Sequence, residues 1–244
     1  MRPIFFCGYF IEDDLDTDKV KKWILNSFAV FNLLQEGYET KDLILFESIP
    51  SGTELLIPIL NAIKTRHNIK IEYQKFVDNQ PSSYEISPLC LKVDKLRWYV
   101  LAVKIGESIK KTYALDRIKS LSETDNSFIY PSDFQAEKYF HNSFGIFTNQ
   151  DREIEHVIIK ANKKQSCYLR TLPLHHSQME EFKEDGSIFH YKIKLDREFE
   201  MELLKMGSDI EIIQPETLKN AIIKNAIETL KLYNEIGEEY IHKE

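Results

Sequence analysis

The stretch from Leu89 to Leu121 decides the fold of this chain, and its sequence is LCLKVDKLRWYVLAVKIGESIKKTYALDRIKSL. β-branched and aromatic residues recur along it, and the turn sequences Asp94-Lys95 and Gly106-Glu107-Ser108 interrupt it, which is typical of consecutive β-strands. Between residues 97 and 103, both faces of the alternating pattern carry mostly apolar side chains. A strand of this kind is covered on both sides, so the sequence predicts a place inside a small barrel or sandwich rather than at an exposed edge.

Four short motifs in and before this stretch resemble the signature of WYL domains. They are Ile69–Tyr73, Ile86–Leu89, Arg97–Val100 and Tyr113–Ile118, and they occur in the family's order. Val100 stands where the naming leucine usually lies. The resemblance implies a small Sm-like, SH3-type β-barrel that senses a ligand, often a nucleic acid or a nucleotide, and that usually belongs to a bacterial transcription regulator.

Length and composition limit the number of domains, the disulfide content and the membrane association that the chain can have. The chain has 244 residues, 43% of them apolar and 29% charged, which is enough for two compact domains with their own cores. Its three cysteines, Cys7, Cys90 and Cys167, are far apart and odd in number. We therefore expect no disulfide framework and a cytoplasmic location. No stretch approaches the ~18 consecutive apolar residues of a membrane helix, so no membrane association is predicted.

The charge is unevenly distributed. A net charge of −7 argues against a protein whose whole surface coats nucleic acid, because such binding depends on neutralising phosphates. The stretch from Lys92 to Lys119 nevertheless has eight basic residues against three acidic ones, which gives +5 there and leaves −12 for the remainder. Two interpretations remain open: a face that binds nucleic acid, or lysines that keep strands soluble and protect sheet edges.

We predict that residues 1–66 form a helical segment with the remnant of a wing strand at Gly8–Glu12. A helix from about Asp18 to Gln35 has apolar side chains around more than one stripe, so we expect it to be buried in a homodimer or against the rest of its own chain. A second helix is predicted from about Thr53 to His67. In regulators that this chain resembles, a winged helix-turn-helix comes first. Only the wing remnant is similar here, so we expect promoter DNA to be bound only through a helix-turn-helix that this chain lacks.

The barrel is predicted over residues 67–130, with strands near 69–76, 84–93, 96–104, 110–115, 116–121 and 127–130. The resemblance places six candidate ligand-binding residues on it: Tyr73, Arg97, Trp98, Tyr99, Tyr113 and Arg117. An aromatic ring offers a stacking face to a base and arginine offers a planar fork to phosphate, so this mixture favours a nucleotide or a single strand. Other roles stay open: Trp98 and Tyr73 as core residues, and Arg117 as the ion-pair partner of Asp116.

The rest of the chain predicts a linker and a second domain. The linker, residues 131–151, is rich in aromatic residues, and we expect it to lie on the barrel. Residues 152–244 have the order βαββαβ followed by a long helix that begins at Pro215, which predicts a ferredoxin-like domain. This part also resembles the C-terminal extension that accompanies WYL domains. The predicted fold class is therefore α+β: helices, a small Sm-like or SH3-type barrel, and a ferredoxin-like domain.

We found no motif for catalysis. The sequence has no Gly-rich phosphate loop, no HExxH and no GxSxG, so we predict no enzyme, no catalytic residue and no cofactor. His175-His176 is the pair that indicates a metal. Neighbouring side chains of an extended segment point to opposite sides, so no metal site is predicted there. We expect instead a solvent-facing loop that contacts the neighbouring domain.

Three functions are therefore considered. The favoured one is the ligand-sensing and oligomerising part of a WYL-type bacterial transcription regulator, with a nucleic acid or nucleotide-like effector at the barrel. The second is a stand-alone nucleic-acid-binding accessory protein of a CRISPR or phage-defence system, which the basic strand region favours. The third is an enzyme that acts on a nucleotide-like compound, and only a possible pocket favours it.

Overall fold

The structure, a computed structural model, describes residues 52–148 and 151–233. Its fold is α+β, with two antiparallel sheets that follow each other along the chain and belong to one compact unit beginning at Pro50. The helix predicted at 18–35, the wing remnant and the expected lack of a helix-turn-helix lie outside the described residues. None of the helices within the described ranges is long and apolar enough to cross a membrane.

A short helical segment leads into the first sheet. A 3-10 turn at Thr53–Leu55 continues into helix α1, Leu56–Thr65, whose side chains Ile59 and Ala62 are fully buried against the sheet. Arg66 ends the helix in the left-handed conformation, with φ of 59°. The predicted helix was therefore about two residues too long, because the chain reverses at Arg66 and the first strand begins at the next residue.

Five antiparallel strands form the first sheet, in the order β4-β3-β2-β1-β5. The strands are β1, His67–Tyr73; β2, Ser82–Asp94; β3, Arg97–Lys104; β4, Lys110–Ala114; and β5, Ile118–Ser127. One strand replaces the two predicted at 116–121 and 127–130, and residues 128–130 belong to no strand. A 3-10 turn over Leu115–Arg117 comes first, and β5 then continues to Ser127.

Strand β3 is covered on both sides only at its centre. Val100, Leu101 and Ala102 are at most 1% exposed, whereas the residues at both ends of the strand are half-buried. Val100 and Ala102 pack in the core that α1 covers, together with Ile69 and Ile71 of β1. The prediction from the apolar alternation is therefore confirmed for the middle of the strand, while its ends are free to carry polar contacts.

Four antiparallel strands form the second sheet, in the order β7-β8-β6-β9. The elements of this second domain occur in the predicted order: β6, Glu155–Asn162; α3, Lys163–Thr171; β7, Met179–Lys183; β8, Gly186–Ile193; α4, Arg197–Leu204; β9, Ile210–Gln214; and α5, Glu216–Leu232. Side-chain caps fix two helix starts, since Asn162 accepts a hydrogen bond from the Gln165 amide at 2.8 Å and Asp196 from the Phe199 amide at 2.9 Å.

The segment between the two sheets contains one short helix, α2, Ala136–Phe140, and lies against the first sheet as its aromatic content indicates. The Tyr130 hydroxyl donates to the Leu89 carbonyl oxygen at 3.0 Å, and the Lys92 ammonium lies 4.0 Å from the centre of the Phe140 ring. Because these contacts hold the start of the segment and the end of the helix to β2, the connection is a packed part of the fold rather than a tether.

The loop at His175-His176 differs from the prediction. His175 is 8% exposed, its Nε2 lies 3.0 Å from the His141 carbonyl oxygen, and its Nδ1 lies 2.8 Å from the Ser177 hydroxyl. The rings of His175 and His176 are 4.0 Å apart, so the expectation that they point to opposite sides is wrong. The segment is a turn rather than extended backbone, which brings both rings to one carbonyl group.

Burial decides the charge of His175. It lowers the pKa of this imidazole to about 4, so the ring is neutral near pH 7. The expected solvent-facing loop is therefore correct for the exposed His176 but wrong for His175. Within residues 52–148 and 151–233, no group of three or more His, Cys, Asp or Glu side chains is arranged to hold a metal ion.

Candidate functional site

A groove with a volume of about 670 Å³ opens beside β4, where β1 ends and β2 begins. This volume is within the range of small-molecule sites. The wall comes from the first sheet, from the turn after β1 and from residues 146–148 of the connection to the second domain. The groove therefore lies beside the covered strand β3, which it meets at Leu101 and Lys104.

Three tyrosines from three strands form the aromatic part of the groove: Tyr73, Tyr84 and Tyr113. The ring of Tyr113 lies edge-on to Tyr73 at 5.2 Å between centres and is tilted against Tyr84 at 6.2 Å. The Ala114 amide donates to the Tyr73 hydroxyl at 3.3 Å, which fixes that ring. Burial raises the pKa of Tyr73 and raises that of Tyr113 to about 12, so both hydroxyls stay neutral at physiological pH.

Arg117 is fixed at the edge of the groove. Its Nε donates to the Gln74 carbonyl oxygen at 2.9 Å, and its guanidinium carbon lies 4.8 Å from the centre of the Tyr73 ring and 4.0 Å from that of Phe76. In the described part of the chain, Nε is the only guanidinium nitrogen of Arg117 with a hydrogen bond. The other N–H donors of this planar group are thus available to an anion.

Four lysines add to the positive charge of the groove: Lys75, Lys104, Lys110 and Lys111. Glu107 pairs with Lys104 at 2.9 Å and also with Lys111, and Asp78 pairs with Lys75 at 3.4 Å. These ion pairs are open to solvent, and exposed pairs of this kind contribute only about 0–1 kcal/mol, so an incoming anion can displace them. No acidic side chain is among the described residues that line the groove, and the groove is therefore electropositive.

The structure brings together three of the six residues that the sequence predicts for a ligand site: Tyr73, Tyr113 and Arg117. Tyr73 and Tyr113 also belong to the buried core of the first sheet, which is the role that was left open for Tyr73. The other three lie outside the groove. Arg97 Nη2 lies 3.8 Å from Asp116 Oδ2, so Arg97 makes the ion pair that was considered for Arg117. Trp98 packs against the core of the first sheet, as one of its open roles proposed.

Tyr99 completes this second group. It is half-buried, and burial raises the pKa of its hydroxyl. It pairs with Ala114 of β4, two residues along β3 from Leu101, the nearest residue of β3 that lines the groove. Arg97, Trp98 and Tyr99, the first three residues of β3, therefore lie outside the groove that contains Arg117.

Sequence reasoning missed most of the other groove residues. Tyr84 could have been found, because the predicted turn at 78–82 makes β1 and β2 a hairpin and so places residue 84 near Tyr73, opposite Ile71. Lys104, Lys110 and Lys111 were counted in the basic stretch but were not assigned to one place. Nothing in the local pattern indicates that residues 146–148 form a wall of the groove.

Two family models match the chain: the WYL domain model at residues 54–123 and the WCX domain model at residues 153–230. No curated protein matches. Among solved structures, the chain is similar to proteasome accessory factor B/C (PafBC) of Arthrobacter aurescens, with 19% identity and a TM-score of 0.37 over 74% of this chain and 27% of that chain. It is also similar to a CRISPR Cas-related protein, with 13% identity and a TM-score of 0.47 over 91% of this chain and 76% of that chain.

The chain spans about a quarter of the PafBC chain that it matches, since 27% of that chain is covered. The groove residues of the first sheet, from Tyr73 to Arg117, lie inside the WYL match. Residues 146–148 lie between the two matched segments. The groove is thus completed by a part of the chain that neither family model describes.

Proposed function

Since this chain belongs to the family of WYL-domain proteins, with a WCX domain after its WYL domain, we propose that it is the ligand-sensing part of a bacterial transcription regulator. The effector binds in the groove of the first sheet. One observation supports this most directly: the Arg117 guanidinium contacts the rings of Tyr73 and Phe76 and has further N–H donors available, in an electropositive groove.

The chemistry of the groove favours an anionic effector with a flat ring, such as a nucleotide or a short single strand. Arginine and lysine pair with phosphate, and aromatic faces stack on bases. Phe76 is 80% exposed and Phe147 is 59% exposed, although both line the groove. These exposed rings suit bases that stack on them in the bound state.

The finer architecture is also part of this proposal. We propose that the first sheet closes as an Sm-like or SH3-type barrel and that the second domain, with strand order β7-β8-β6-β9, is ferredoxin-like. The proposed domain bounds are 1–66, 67–130, 131–151 and 152–244, although α1 shares the core of the first sheet. The chain acts as a homodimer.

Binding of fluorescein-labelled hexathymidylate tests the proposal, measured by fluorescence anisotropy at about 50 and 200 mM salt. The probe is expected to bind at low salt and to weaken at high salt. Arg117→Ala removes charged hydrogen bonds to phosphate and is expected to raise the Kd about tenfold. Arg97→Ala is the matched control, since Arg97 lies outside the groove, and a change below about twofold is expected. No binding at low salt, or an equal loss in both variants, contradicts the proposal.

A stand-alone nucleic-acid-binding accessory protein is the second candidate. It is favoured by the form of the groove, which is open and has Phe76 and Phe147 at its surface, so that a strand can continue beyond it. Binding of a mononucleotide, a hexamer and a 20-mer separates the two functions. An effector site reaches full affinity with the shortest ligand that fills it, whereas a strand-binding protein gains affinity with each added length.

A further inference from the structure

Residues 144–148, here called the strap, contact both domains. At one end, Ile146, Phe147 and Thr148 line the groove. At the other end, Phe144 is 8% exposed and packs in the core of the second domain, edge-on to Phe199 at 5.3 Å between ring centres. The same five residues therefore join the wall of the proposed effector site to the core of the WCX domain.

One carboxylate holds the backbone of the strap. Glu198 Oε2, in the first turn of α4, accepts hydrogen bonds from the Ile146 amide at 2.8 Å and the Phe147 amide at 3.4 Å. Charged acceptors make the stronger hydrogen bonds in proteins. Since Phe147 is also a wall of the groove, a displacement of that wall is felt at α4 through two bonds to the same oxygen atom.

The fit between the strap and α4 is close. Gly145 has φ of 72°, and a Cβ atom at this position would overlap the Glu198 carboxylate. From the other side, the Lys92 ammonium of β2 donates to the Gly145 carbonyl oxygen. This hydrogen bond brings the Lys92 ammonium group to the strap. Burial of the side chain there lowers the pKa of Lys92. The strap is thus held between β2 of one domain and α4 of the other.

We propose that the strap passes the state of the groove to the second domain, and that Glu198 is the positioning residue that ties the strap to α4. This inference depends on the proposed function, because it assumes that the groove binds an effector. A ligand shifts a conformational equilibrium only if it binds one of the states more tightly. A ligand that contacts Phe147 therefore favours the position of the strap in which the ligand makes the most contacts. The two hydrogen bonds to Glu198 then carry the preference to α4.

A second contact between the domains offers a matched control. Glu202, one turn after Glu198 on the same helix, pairs with Lys95 at 3.1 Å. This ion pair also joins the first sheet to α4, but Glu202 has no hydrogen bond to the strap within the described residues. Glu198→Ala and Glu202→Ala thus each remove one carboxylate of α4 that contacts the rest of the chain. Only Glu198→Ala removes hydrogen bonds to the strap.

Hydrogen exchange of the full chain, with and without hexathymidylate, tests the inference. In the parent protein, the probe is expected to slow exchange in β4, in the strap and in α4. Glu198→Ala is expected to speed exchange at the Ile146 and Phe147 amides about tenfold, since each loses a hydrogen bond to a charged group. In this variant the probe still slows exchange in β4 but no longer in α4. Glu202→Ala keeps the response of all three segments.

The outcomes separate the two proposals. If the probe protects β4 but leaves α4 unchanged in the parent protein, the inference is wrong while the effector site stands. If the probe protects nothing at low salt, the proposed function fails. The coupling between the groove and α4 is then tested without ligand, by hydrogen exchange of a variant of the strap. Gly145→Ala displaces the Glu198 carboxylate and strains the strap at a φ of 72°, so coupling predicts faster exchange in both β4 and α4. Faster exchange in the strap alone overturns the inference.

Discussion

The two domains each contain a cluster of three aromatic side chains, and the clusters differ in what covers them. In the core of the second domain, Phe199 meets Tyr191 and Phe144 of the strap edge-on, with ring centres 5.7 and 5.3 Å apart, and none of the three is more than 8% exposed. In the first domain, the Tyr73 and Tyr113 rings meet in the same way at 5.2 Å and are 7% and 5% exposed, whereas Tyr84 beside them is only half-buried.

The difference shows how one kind of ring contact produces either a core or a binding surface. Around Phe199 the open side is filled by helices and strands of the same domain, so the cluster contributes stability. Around Tyr84 the open side is the groove, bordered by Arg117 and four lysines. Apolar faces beside these cationic side chains are a poor core but a suitable receptor for a ring that carries a phosphate.

The largest effect is expected when the sealed cluster is opened. Phe199→Ala removes a fully buried ring that touches both Phe144 and Tyr191, and large-to-small changes of this type cost about 3–5 kcal/mol of the free energy of unfolding. Urea unfolding measures it. Phe182→Ala is the control, because Phe182 is 69% exposed on β7, and a loss below about 0.5 kcal/mol is expected. Equal losses in both variants contradict the sealed description.

Sequence reasoning predicts such a core better than it predicts the groove. The order of elements in residues 152–233 follows from local signals: Asn162 and Asp196 are helix caps, and Gly207, with φ of 55°, stands just after α4. Each signal acts within a few residues, so a linear pattern is enough. The same holds for the apolar alternation that predicts the covered centre of β3.

The groove depends on contacts that the linear pattern does not contain. Arg97 and Arg117 each border an aromatic motif, and the sequence does not distinguish them. The 3-10 turn at Leu115–Arg117 directs the Asp116 carboxylate toward Arg97 and leaves Arg117 beside Tyr73. Glu198 and Ile146 are 52 residues apart, and their hydrogen bond follows from the packing of two domains rather than from any local preference.

The second effect is smaller: the free energy of unfolding falls with pH because of the buried His175 in the second domain. The pKa of His175 is lowered to about 4 by burial, whereas an unfolded histidine has a pKa near ~6.5. Above ~6.5 the ring is neutral in both states. Below that pH the unfolded chain binds a proton that the folded chain resists, so stability is lost progressively toward pH 4, by about 2 kcal/mol at pH ~4.5.

His175→Gln isolates this contribution, since glutamine keeps an N–H donor for the His141 carbonyl group and does not titrate. Urea unfolding at pH ~7 and ~4.5 is expected to show a loss in the parent protein that exceeds the loss in His175→Gln by about 2 kcal/mol. Burial raises the pKa of Asp196 to about 6, which favours the folded state as the pH falls, but this term is common to both proteins.

The smallest effect is expected on the open side, where binding rather than stability responds. Tyr84→Ala removes the half-buried ring at the mouth of the groove, and a lost base stack raises the Kd for hexathymidylate about tenfold. Tyr99→Ala is the matched control: Tyr99 is also half-buried in the first sheet, and it belongs to the predicted residues that the groove excludes. A Kd within about twofold of the parent is expected for it. If Tyr99→Ala weakens binding and Tyr84→Ala does not, the ligand binds at the start of β3. The aromatic cluster around Tyr84 is then not a binding surface.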